Sequence, residues 1–558
     1  MKTEAGTAAT TAQPGRFRTS RIGIALAALA AFAALTSAAR AQNLDEMSLD
    51  RWKKLRETER YQLKIADDFY IKQQWKIAAA EYEKFQSLYE KSEGASYAQL
   101  RWANCQVRLK KVNTAISDGY QTTIDYWPDS PEAIASAFYI GRSYKDTGEL
   151  KKAKKAYQEV LKKHPDHLVA VYSAADMIEI AQQENDAPTQ VAMWKKLTFD
   201  TKRTPWSRST CEKASRELAA HMFAQVNVDE AVKALETTYT KPEQVPPQIV
   251  ALASGPIAQM VADSKSQAKG EKLADSCIAW LKSHTPDDKS TPEKKAIAEE
   301  SWFCVADIES AAKRDAKVLE TYATALKVFG EDDAILGRQA NWYKTRGKWD
   351  DARKTYNRYK NQVDGQAEIA QSWYQENQFE KAANAYRQVL ALDPQNPIKW
   401  KPSIAYCYRR AGKTDDSVAA YDELVVDDKA SPDRWQVEAA HTYREHGKYK
   451  EAIARYRLCN PSGNCYHWMA ICHRALKEYG EAIGLYNQSI GAFPDSAPSS
   501  MYQKGLTYEE QGKKELAIKT LQQVCKQFPK DSHASVAHAR LQDVFKVTVT
   551  LGGDKTDQ

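Results

Sequence analysis

The feature that most constrains the fold is an internal repeat. Six segments, beginning at residues 141, 340, 370, 440, 470 and 505, share one pattern of small and large residues. In each segment a small residue is followed three positions later by an aromatic residue or histidine, and twelve positions later by alanine. Small residues at this spacing let two antiparallel helices approach closely, while the large residues fill the space beside them. Because one such pair cannot bury its own apolar face, the pairs must stack in series.

The anchor residues of the second helices recur at regular intervals. They are Ala78, Ala115 and Ala153 near the N-terminus, and Ala352, Ala382, Ser417, Ala452, Ala482 and Ala517 near the C-terminus. Ala352 to Ala382 and Ala452 to Ala482 are intervals of 30 residues, whereas the other C-terminal intervals are 35. The shorter interval therefore lacks five residues, which is about one helical turn. Because a whole turn is lost, the remaining helix keeps the same face toward its neighbours. Gly447 suits an inter-helix turn that requires positive φ.

This pattern resembles the tetratricopeptide repeat (TPR), a helix–turn–helix unit of about 34 residues. The resemblance covers most of residues 59–531. It implies an all-α fold, a right-handed superhelical solenoid of TPR-like helix pairs with a degenerate middle section. It also implies a groove lined by the first helices, in which family members hold peptides or helices of partner proteins.

The repeat pattern is not uniform, and it divides the chain. It weakens between about 166 and 320, where Ala231 and Tyr322 mark degenerate units. Four prolines in TKPEQVPPQIVALASGP predict a break or linker near residue 245, and Ser283–Lys295 is predicted to be a polar loop. The predicted organisation is a signal peptide in 1–41, N-terminal TPR units in 42–165, degenerate helical repeats in 166–320, a C-terminal TPR array in 321–531, a capping helix in 532–545 and a flexible tail in 546–558.

The N-terminal segment has the features of an export signal. Arg16, Arg18 and Arg21 precede an apolar run of 16 residues, Ile22–Ser37, and the small residues of an A-R-A motif end at Ala41. A membrane-spanning helix needs about 20 residues, so we expect cleavage after Ala41 and a periplasmic or secreted protein. The alternative is that the run stays as an uncleaved membrane anchor.

The charge balance does not favour a nucleic-acid partner. The whole chain carries +7, and the first 41 residues contribute five basic residues and one acidic residue, or +4. The processed chain therefore carries 7 − 4 = +3. A nucleic-acid-binding protein normally shows a clustered basic excess. We expect no nucleic acid partner, and only peripheral association with a membrane.

A stretch rich in cysteine and histidine, His446–Arg474, raises the alternative of a metal or haem site. It contains three cysteines and three histidines, but it lacks the C-x-x-C-H motif of covalent haem and the C-x-x-C pairs of zinc sites. A site built from His441, His467 and a cysteine remains an alternative, yet we predict no metal and no cofactor. Cys459 and Cys465 flank the loop NPSGN, so an oxidising compartment would allow a disulfide between them.

The candidate ligand groove follows from the repeat register. Lys344, Arg409, Arg444 and Arg474 each lie four residues after the small residue of a first helix. They predict a basic stripe that faces an acidic or carboxylate-bearing ligand, and the alternative is ordinary solvated surface charge. The full candidate groove comprises Asn341, Lys344, Tyr374, Tyr406, Arg409, His441, Arg444 and Arg474.

A second resemblance concerns the two ends of the repeat array. Pro494–Leu541 resembles the C-terminal TPR module of the Tol–Pal-associated periplasmic protein. Tyr61–Tyr89 and Trp127–Asp166 are similar to units of that protein and of the barrel-assembly TPR lipoprotein. Both relatives imply the periplasm of a two-membrane bacterium and a role in holding partners.

No catalytic motif is present, neither G-x-S-x-G nor H-E-x-x-H nor a phosphate-binding glycine loop. The predicted function is therefore a non-catalytic TPR scaffold that binds protein or peptide partners in the cell envelope, as part of an envelope complex. One alternative is an outer-membrane or peptidoglycan-associated assembly factor. Another is an enzyme or metal-binding protein whose site lies in the irregular region 166–320.

Overall fold

The structure, a computed structural model, describes residues 44–286 and 289–549. The predicted signal peptide and residues 550–558 lie outside the described residues. Throughout the two described ranges the regular structure is helical and includes no β-strand, which confirms the predicted all-α fold. No helix within these ranges combines the length and apolarity needed to span a membrane.

The chain divides into two compact units, with the boundary between Phe329 and Gly330. The sequence placed this boundary at residue 320, which lies inside the helix Asp315–Phe329. That helix packs against its predecessor, Pro292–Ala311, as the second member of a pair. A boundary inside it would split a helix pair, so the C-terminal unit begins later than the sequence indicated.

The N-terminal unit is a series of helices in which each packs mainly against its neighbours in the chain. Its α-helices are Leu49–Lys54, Glu57–Ile71, Trp75–Leu88, Ala95–Arg108, Val112–Thr114, Thr122–Tyr126, Pro131–Asp146, Leu150–Lys163, Leu168–Gln183, Ala187–Lys195, Arg208–Ala224, Val228–Glu236, Val245–Ala262, Gln267–Ser283, Pro292–Ala311 and Asp315–Phe329. π-Helical turns occupy Ala115–Gln121 and Lys196–Asp200, and a 3-10 turn occupies Pro242–Gln244.

Over residues 330–549, the C-terminal unit shows six helix pairs followed by a single helix. The first helices of the pairs are Asp333–Thr345, Gln362–Gln375, Pro397–Arg410, Pro432–Glu445, Gly463–Ala475 and Ala497–Glu510. The second helices are Trp349–Tyr356, Phe379–Leu392, Thr414–Asp427, Tyr449–Tyr456, Tyr479–Ala492 and Lys514–Gln527, and the last helix is Ser532–Asp543. A 3-10 turn at Pro494–Ser496 precedes the sixth pair.

The small residues of the repeat lie at the contact between paired helices. Every predicted anchor of the second helices, from Ala78 to Ala517, has no exposed surface. On the first helices, a methyl group added at Gly141 would lie 2.6 Å from the Tyr157 ring, and one at Gly505 would lie 2.8 Å from a methyl carbon of Leu521. Helices this close leave no space for a larger side chain. The repeat positions inferred from the sequence are therefore confirmed as packing positions.

The two short repeat intervals have a clear structural origin. The second helices that begin these intervals, Trp349–Tyr356 and Tyr449–Tyr456, have 8 residues each. A typical second helix, such as Phe379–Leu392, has 14. The deletion removes the end of the second helix and leaves the buried anchors Ala352 and Ala452 in place. The predicted shortening of these helices is confirmed.

The break predicted near residue 245 lies just before it, in the connection formed by residues 237–244. Residues 245–262 form one continuous helix. Pro246 and Pro247 lie in its first turn, where a backbone N–H has no helical acceptor and proline is tolerated. Ile249 and Ala253 of this helix are fully buried in an apolar core that runs through most of the 166–320 region. Degenerate sequence in this region thus still produces packed helix pairs.

The structure also shows the predicted polar loop and the C-terminal end of the repeat array. The polar loop predicted at 283–295 corresponds to a connection between Ser283 and Pro292, of which residues 287–288 are outside the described ranges. The predicted capping helix corresponds to Ser532–Asp543. Beyond it, Val547 and Val549 pack against the apolar cluster beneath that helix. Residues 546–549 therefore belong to the cap, contrary to the tail predicted from Lys546 onward.

The turn between paired helices provides a matched test of backbone conformation. Gly447 has φ +76°, and a methyl group added there would contact nothing within 4 Å. Gly484 lies exposed within the helix Tyr479–Ala492, and a methyl group added there would also be unobstructed. A glycine-to-alanine change therefore causes no steric clash at either site. The backbone conformation differs, because Gly447 has a positive φ and Gly484 has the φ of a helix interior.

We expect Gly447→Ala to lower the free energy of unfolding by about 1 kcal/mol, because an alanine in the left-handed region is strained. We expect Gly484→Ala to raise it by up to about 1 kcal/mol, because alanine favours a helix interior. Urea unfolding followed by circular dichroism measures both changes. Shifts of the same sign would contradict this difference between turn and helix.

Candidate functional site

All eight candidate groove residues lie on first helices of the C-terminal unit. Asn341 and Lys344 are on the first of these helices, Tyr374 on the second, Tyr406 and Arg409 on the third, His441 and Arg444 on the fourth, and Arg474 on the fifth. Several of these side chains contact the first helix of the next pair. The residues therefore form a row that follows the stacking direction within this unit, here called the first-helix row.

The row begins with half-buried polar and aromatic groups. Burial lowers the pKa of Lys344, and the nearby Glu368 carboxylate, on the next first helix, partly opposes this effect. Burial in turn raises the pKa of Glu368. The rings of Tyr374 and Tyr406, on successive first helices, lie with their centroids 6.1 Å apart. Asn341 is exposed at the start of the row.

Arg409 is held by two carboxylates of the next first helix. Its Nε donates to a Glu445 oxygen at 2.5 Å, a second nitrogen of the guanidinium also bonds Glu445, and a terminal nitrogen lies 2.9 Å from Glu438. Burial is the largest single influence and lowers the pKa of Arg409, but hydrogen bonding and charge attraction to Glu445, together with the nearby Glu438, outweigh it and raise the pKa. Arg409 thus links one repeat to the next, and its guanidinium N–H groups donate to carboxylates of the protein itself.

Arg444 is held differently, by an aromatic ring. Its guanidinium carbon lies 4.3 Å from the centroid of the Trp468 ring, on the next first helix, a distance suited to a cation–π interaction. The Glu445 carboxylate lies 3.6 Å from a terminal nitrogen of the same guanidinium. Within the part of the chain that the structure describes, the buried Nε of Arg444 has no hydrogen-bond partner. Arg444 is therefore less completely neutralised than Arg409.

His441 lies beside Arg444 and is surrounded by aromatic residues. Its Nδ1 lies 2.6 Å from the Tyr456 hydroxyl oxygen, and its ring meets the Trp468 ring edge-on with centroids 5.2 Å apart. Burial, together with the charges of Arg444 and Arg409, lowers the pKa of His441 to about 3. His441 is therefore neutral at physiological pH, and it contributes no positive charge to the row.

Arg474 closes the row. One of its terminal nitrogens donates to the side-chain oxygen of Gln503 at 2.7 Å, and its Nε lies 3.7 Å from Glu510. Both partners are on the sixth first helix. The predicted basic stripe is thus placed on one row of helices, but Arg409 and Arg474 are engaged by neighbouring repeats.

Sequence reasoning missed the partners of these cations. Glu438 and Glu445 share a helix with Arg444, and Trp468 precedes the small residue Ala470 by two positions. The available signal was an acidic residue on the helix that follows each arginine in the stack. The register alone did not show which acidic residues turn toward the preceding repeat.

The cysteine and histidine stretch is placed in the packed part of two repeats. Cys459 and Cys465 are both buried, and a hydrogen bond between their thiols lowers the pKa of Cys465 to about 7. The two sulfurs are thus neighbours, and their disulfide stays a prediction. His467 is 2.9 Å from the Ser500 hydroxyl. Among the residues that the structure describes, no group of three or more His, Cys, Asp or Glu side chains could hold a metal ion.

An open cleft lies in the irregular region, where the alternative prediction places an enzyme's active site. It has a volume of about 580 Å³ and is lined in part by Ser209, Glu212, Arg216, Glu217 and Tyr239. The lining mixes opposite charges along one face of the helix Arg208–Ala224. Helical repeats commonly expose such a mixed surface. The cleft therefore supplies no specific support for catalysis.

Comparison with known families identifies the repeats. Models of the tetratricopeptide repeat match residues 135–167, 363–396, 465–496 and 499–531. Each matched segment contains the small residue of a first helix and the buried anchor alanine twelve positions later. The chain contains tetratricopeptide repeats. Curated proteins give no significant match.

Several solved TPR-containing and helical structures are similar at low identity. The APC/C hetero-tetramer Cut9–Hcn1 has a TM-score of 0.26 at 13% identity, covering 89% of this chain and 99% of that chain. Yeast Tom70 has a TM-score of 0.24 at 12% identity, covering 88% and 97%. A TPR protein from Parabacteroides merdae has a TM-score of 0.23 at 16% identity, covering 44% and 98%. With TM-scores below 0.5, these likenesses transfer no partner or activity to the TPR units described above.

The depressed pKa of His441 predicts a pH dependence of stability. In the unfolded chain this histidine titrates near its usual pKa of about 6.5, whereas the folded protein keeps it neutral down to a pKa of about 3. Between these values the unfolded state binds more protons, so stability falls as pH falls. From pH 6.5 to pH 5 the loss attributable to His441 is about 2 kcal/mol.

We expect the His441→Gln variant to lose about 2 kcal/mol less than the wild type over that pH range, since glutamine does not titrate. Glutamine keeps an acceptor for Tyr456. Urea unfolding at pH 5.0, 5.75 and 6.5 measures the difference. Parallel pH profiles for the two proteins would show that His441 is not held neutral in the folded state.

Proposed function

We propose that this protein is a non-catalytic TPR scaffold that binds an extended protein segment along the first-helix row of its C-terminal unit. The repeats supply a rigid support, because the buried anchors hold the two helices of each pair together and side chains such as Arg409 tie one pair to the next. The row presents polar and aromatic groups on successive helices. A segment that lies across them would contact several repeats at once.

The choice of ligand rests on the surroundings of the Arg444 guanidinium. This guanidinium is fixed against Trp468 and retains a buried nitrogen without a hydrogen-bond partner. An incompletely paired, partly buried cation is costly and is stabilised by a nearby anion. Arg409 and Arg474 donate hydrogen bonds to side chains of the next repeat. Arg444 lies 3.6 Å from Glu445 and keeps the unpartnered Nε, so it is the arginine we select to meet a ligand carboxylate. We therefore propose an acidic or carboxylate-bearing segment as the ligand.

The proposed place of action is the cell envelope, specifically the periplasm. The support is the sequence before Ala41, with its basic residues, its apolar run and its A-R-A motif. In that compartment the scaffold would join an envelope complex. A role as an outer-membrane or peptidoglycan-associated assembly factor is a narrower form of the same proposal, and it differs only in the partner.

An array of nine-residue peptides tests the ligand. We expect peptides with Asp or Glu to bind more tightly than the same peptides with Asn or Gln. We expect Arg444→Met, which keeps apolar contact with Trp468 but removes the charge, to weaken binding of the acidic peptides by about tenfold. Fluorescence anisotropy with the best acidic peptide measures the dissociation constants.

The matched control is Arg457→Met, which removes an exposed arginine after the helix Tyr449–Tyr456. It should leave the dissociation constant within about twofold, because exposed single charges contribute little. Equal weakening by both variants would mean that only overall charge matters. Full affinity in the Arg444→Met protein would reject the ligand site.

Expression in a two-membrane bacterium tests the location. We expect the protein in the periplasmic fraction, with a mass and N-terminal sequence showing that processing follows Ala41. The variant Ala39→Asp, Ala41→Asp should accumulate unprocessed, because signal peptidases require small residues at these positions. A wild-type chain that keeps residues 1–41 in the cytosol would contradict the proposed compartment.

A further inference from the structure

A short stretch ahead of the first helix of the N-terminal unit lies against its repeats. The stretch is Leu44–Ser48, here called the leading segment. Asp45 is only 8% exposed although it belongs to no helix. A carboxylate is rarely buried to this degree unless charged or hydrogen-bonding groups receive it. Its surroundings therefore show what this surface is built to accept.

The Asp45 carboxylate is received by the first helices of three successive helix pairs. The Tyr139 hydroxyl donates to one oxygen at 2.6 Å. The Asn104 amide nitrogen and the Tyr70 hydroxyl donate to the other oxygen at 3.1 and 3.3 Å. The Arg101 guanidinium lies 3.8 Å from that oxygen and supplies the positive charge. We call these four side chains the carboxylate pocket.

The pocket is held in position by residues that do not touch Asp45. The Arg101 guanidinium stacks against two rings, 4.3 Å from the centroid of Tyr70 and 5.2 Å from that of Tyr97. The Tyr120 hydroxyl donates to the Asn104 side-chain oxygen at 2.7 Å, which leaves the amide N–H groups of Asn104 for a carboxylate. Because Arg101 is itself only 8% exposed, leaving the pocket without an anion would be costly.

Apolar contacts flank the carboxylate on both sides. Leu44 packs against the apolar cluster that contains Leu100 and Ala103. Met47, two residues after the aspartate, packs against the cluster that contains Leu63 and Phe85. The surface therefore accepts a segment of the form Leu-Asp-x-Met, with the leucine and the aspartate in a turn. Charge and shape both contribute to its selectivity.

The leading segment is attached in a way that permits exchange. The contacts reported above for Leu44, Asp45 and Met47 are all made by their side chains. The helix that follows is anchored separately, since Arg51 lies 2.6 Å from Glu132 and donates to the Glu93 carbonyl at 2.9 Å. The helix Leu49–Lys54 therefore has attachments that do not involve Asp45.

We infer that the carboxylate pocket is a second peptide-binding site, in the N-terminal unit, which the chain's own leading segment occupies until a partner protein's Leu-Asp-x-Met-type acidic segment displaces it. The site is distinct from the first-helix row, and its test does not depend on that proposal. Tethering holds the leading segment at an effective concentration on the order of millimolar. A partner segment must therefore bind the carboxylate pocket tightly enough to compete with the tethered leading segment.

Binding of a labelled peptide tests this inference. The probe is the octapeptide QNLDEMSL, which copies residues 42–49, and its control carries Asn in place of Asp. Asp45→Ala vacates the pocket, and Asp50→Asn removes an exposed charge from the adjacent helix as the matched control protein. We expect the Asp45→Ala protein to bind the probe about tenfold more tightly than the wild type or the Asp50→Asn protein.

The pocket residues provide the second comparison. In the Asp45→Ala background, Tyr139→Phe removes one hydroxyl and should weaken probe binding about fivefold, the effect of one hydrogen bond of about 1 kcal/mol. The Asn peptide should bind at least about tenfold more weakly than the probe, because it lacks the charge that Arg101 receives. Should Asp45→Ala fail to fold, Asp45→Asn keeps the side-chain shape and carries the same comparison.

Two results would overturn the inference. If Asp45→Ala and wild type bind the probe equally, or if the Asp and Asn peptides bind equally, the leading segment is only a structural strap. If the wild type forms a concentration-dependent dimer in light scattering that Asp45→Ala abolishes, the segment instead links two copies of this chain. Native affinity chromatography is not needed for either decision.

Discussion

Both units depend on the close approach of paired helices at small, buried residues. Where Gly141 faces Tyr157, even one added methyl group would overlap the ring. The same restriction explains why alanine recurs at Ala352, Ala382 and Ala452, all without exposed surface. Dense packing of this kind tolerates changes in helix length at the far end better than changes in side-chain size at the contact. The short second helices of two repeats follow from it.

Because apolar packing is concentrated between the helices of a pair and between successive pairs, the first helices can carry polar side chains on the remaining surface. In the C-terminal unit these side chains contact the next repeat, as Arg409 contacts Glu438 and Glu445. Such ties add rigidity in the stacking direction, and they remove cations from the set available to a ligand. Arg444, which lies against the Trp468 ring and more loosely beside Glu445, gives the row its proposed ligand preference.

The N-terminal unit uses the same architecture for a different result. Its first helices also place a cation among aromatic rings, but there Arg101 faces a carboxylate from its own chain. Arg101 and Arg444 thus share one arrangement: each guanidinium lies against aromatic rings with a carboxylate nearby, at 3.8 Å for Arg101 and 3.6 Å for Arg444. Among the described residues, each also keeps a buried Nε without a hydrogen-bond partner. The two sites would bind acidic segments independently, with the N-terminal site limited by its tethered occupant. A scaffold with one open and one covered site could respond in sequence to two partners.

The sequence by itself determined the helix pairs, the anchor positions, the shortened repeats and the location of the candidate row, because these follow from periodic patterns within a few tens of residues. It did not determine the continuous helix at Val245–Ala262, since prolines in a first turn have the same sequence signature as a break. Only the tertiary structure decided which charges meet. Arg409 and Glu445 are 36 residues apart, and Asp45 and Tyr139 are 94 apart. Contacts over such distances depend on how stacked repeats orient individual side chains, which no local pattern encodes.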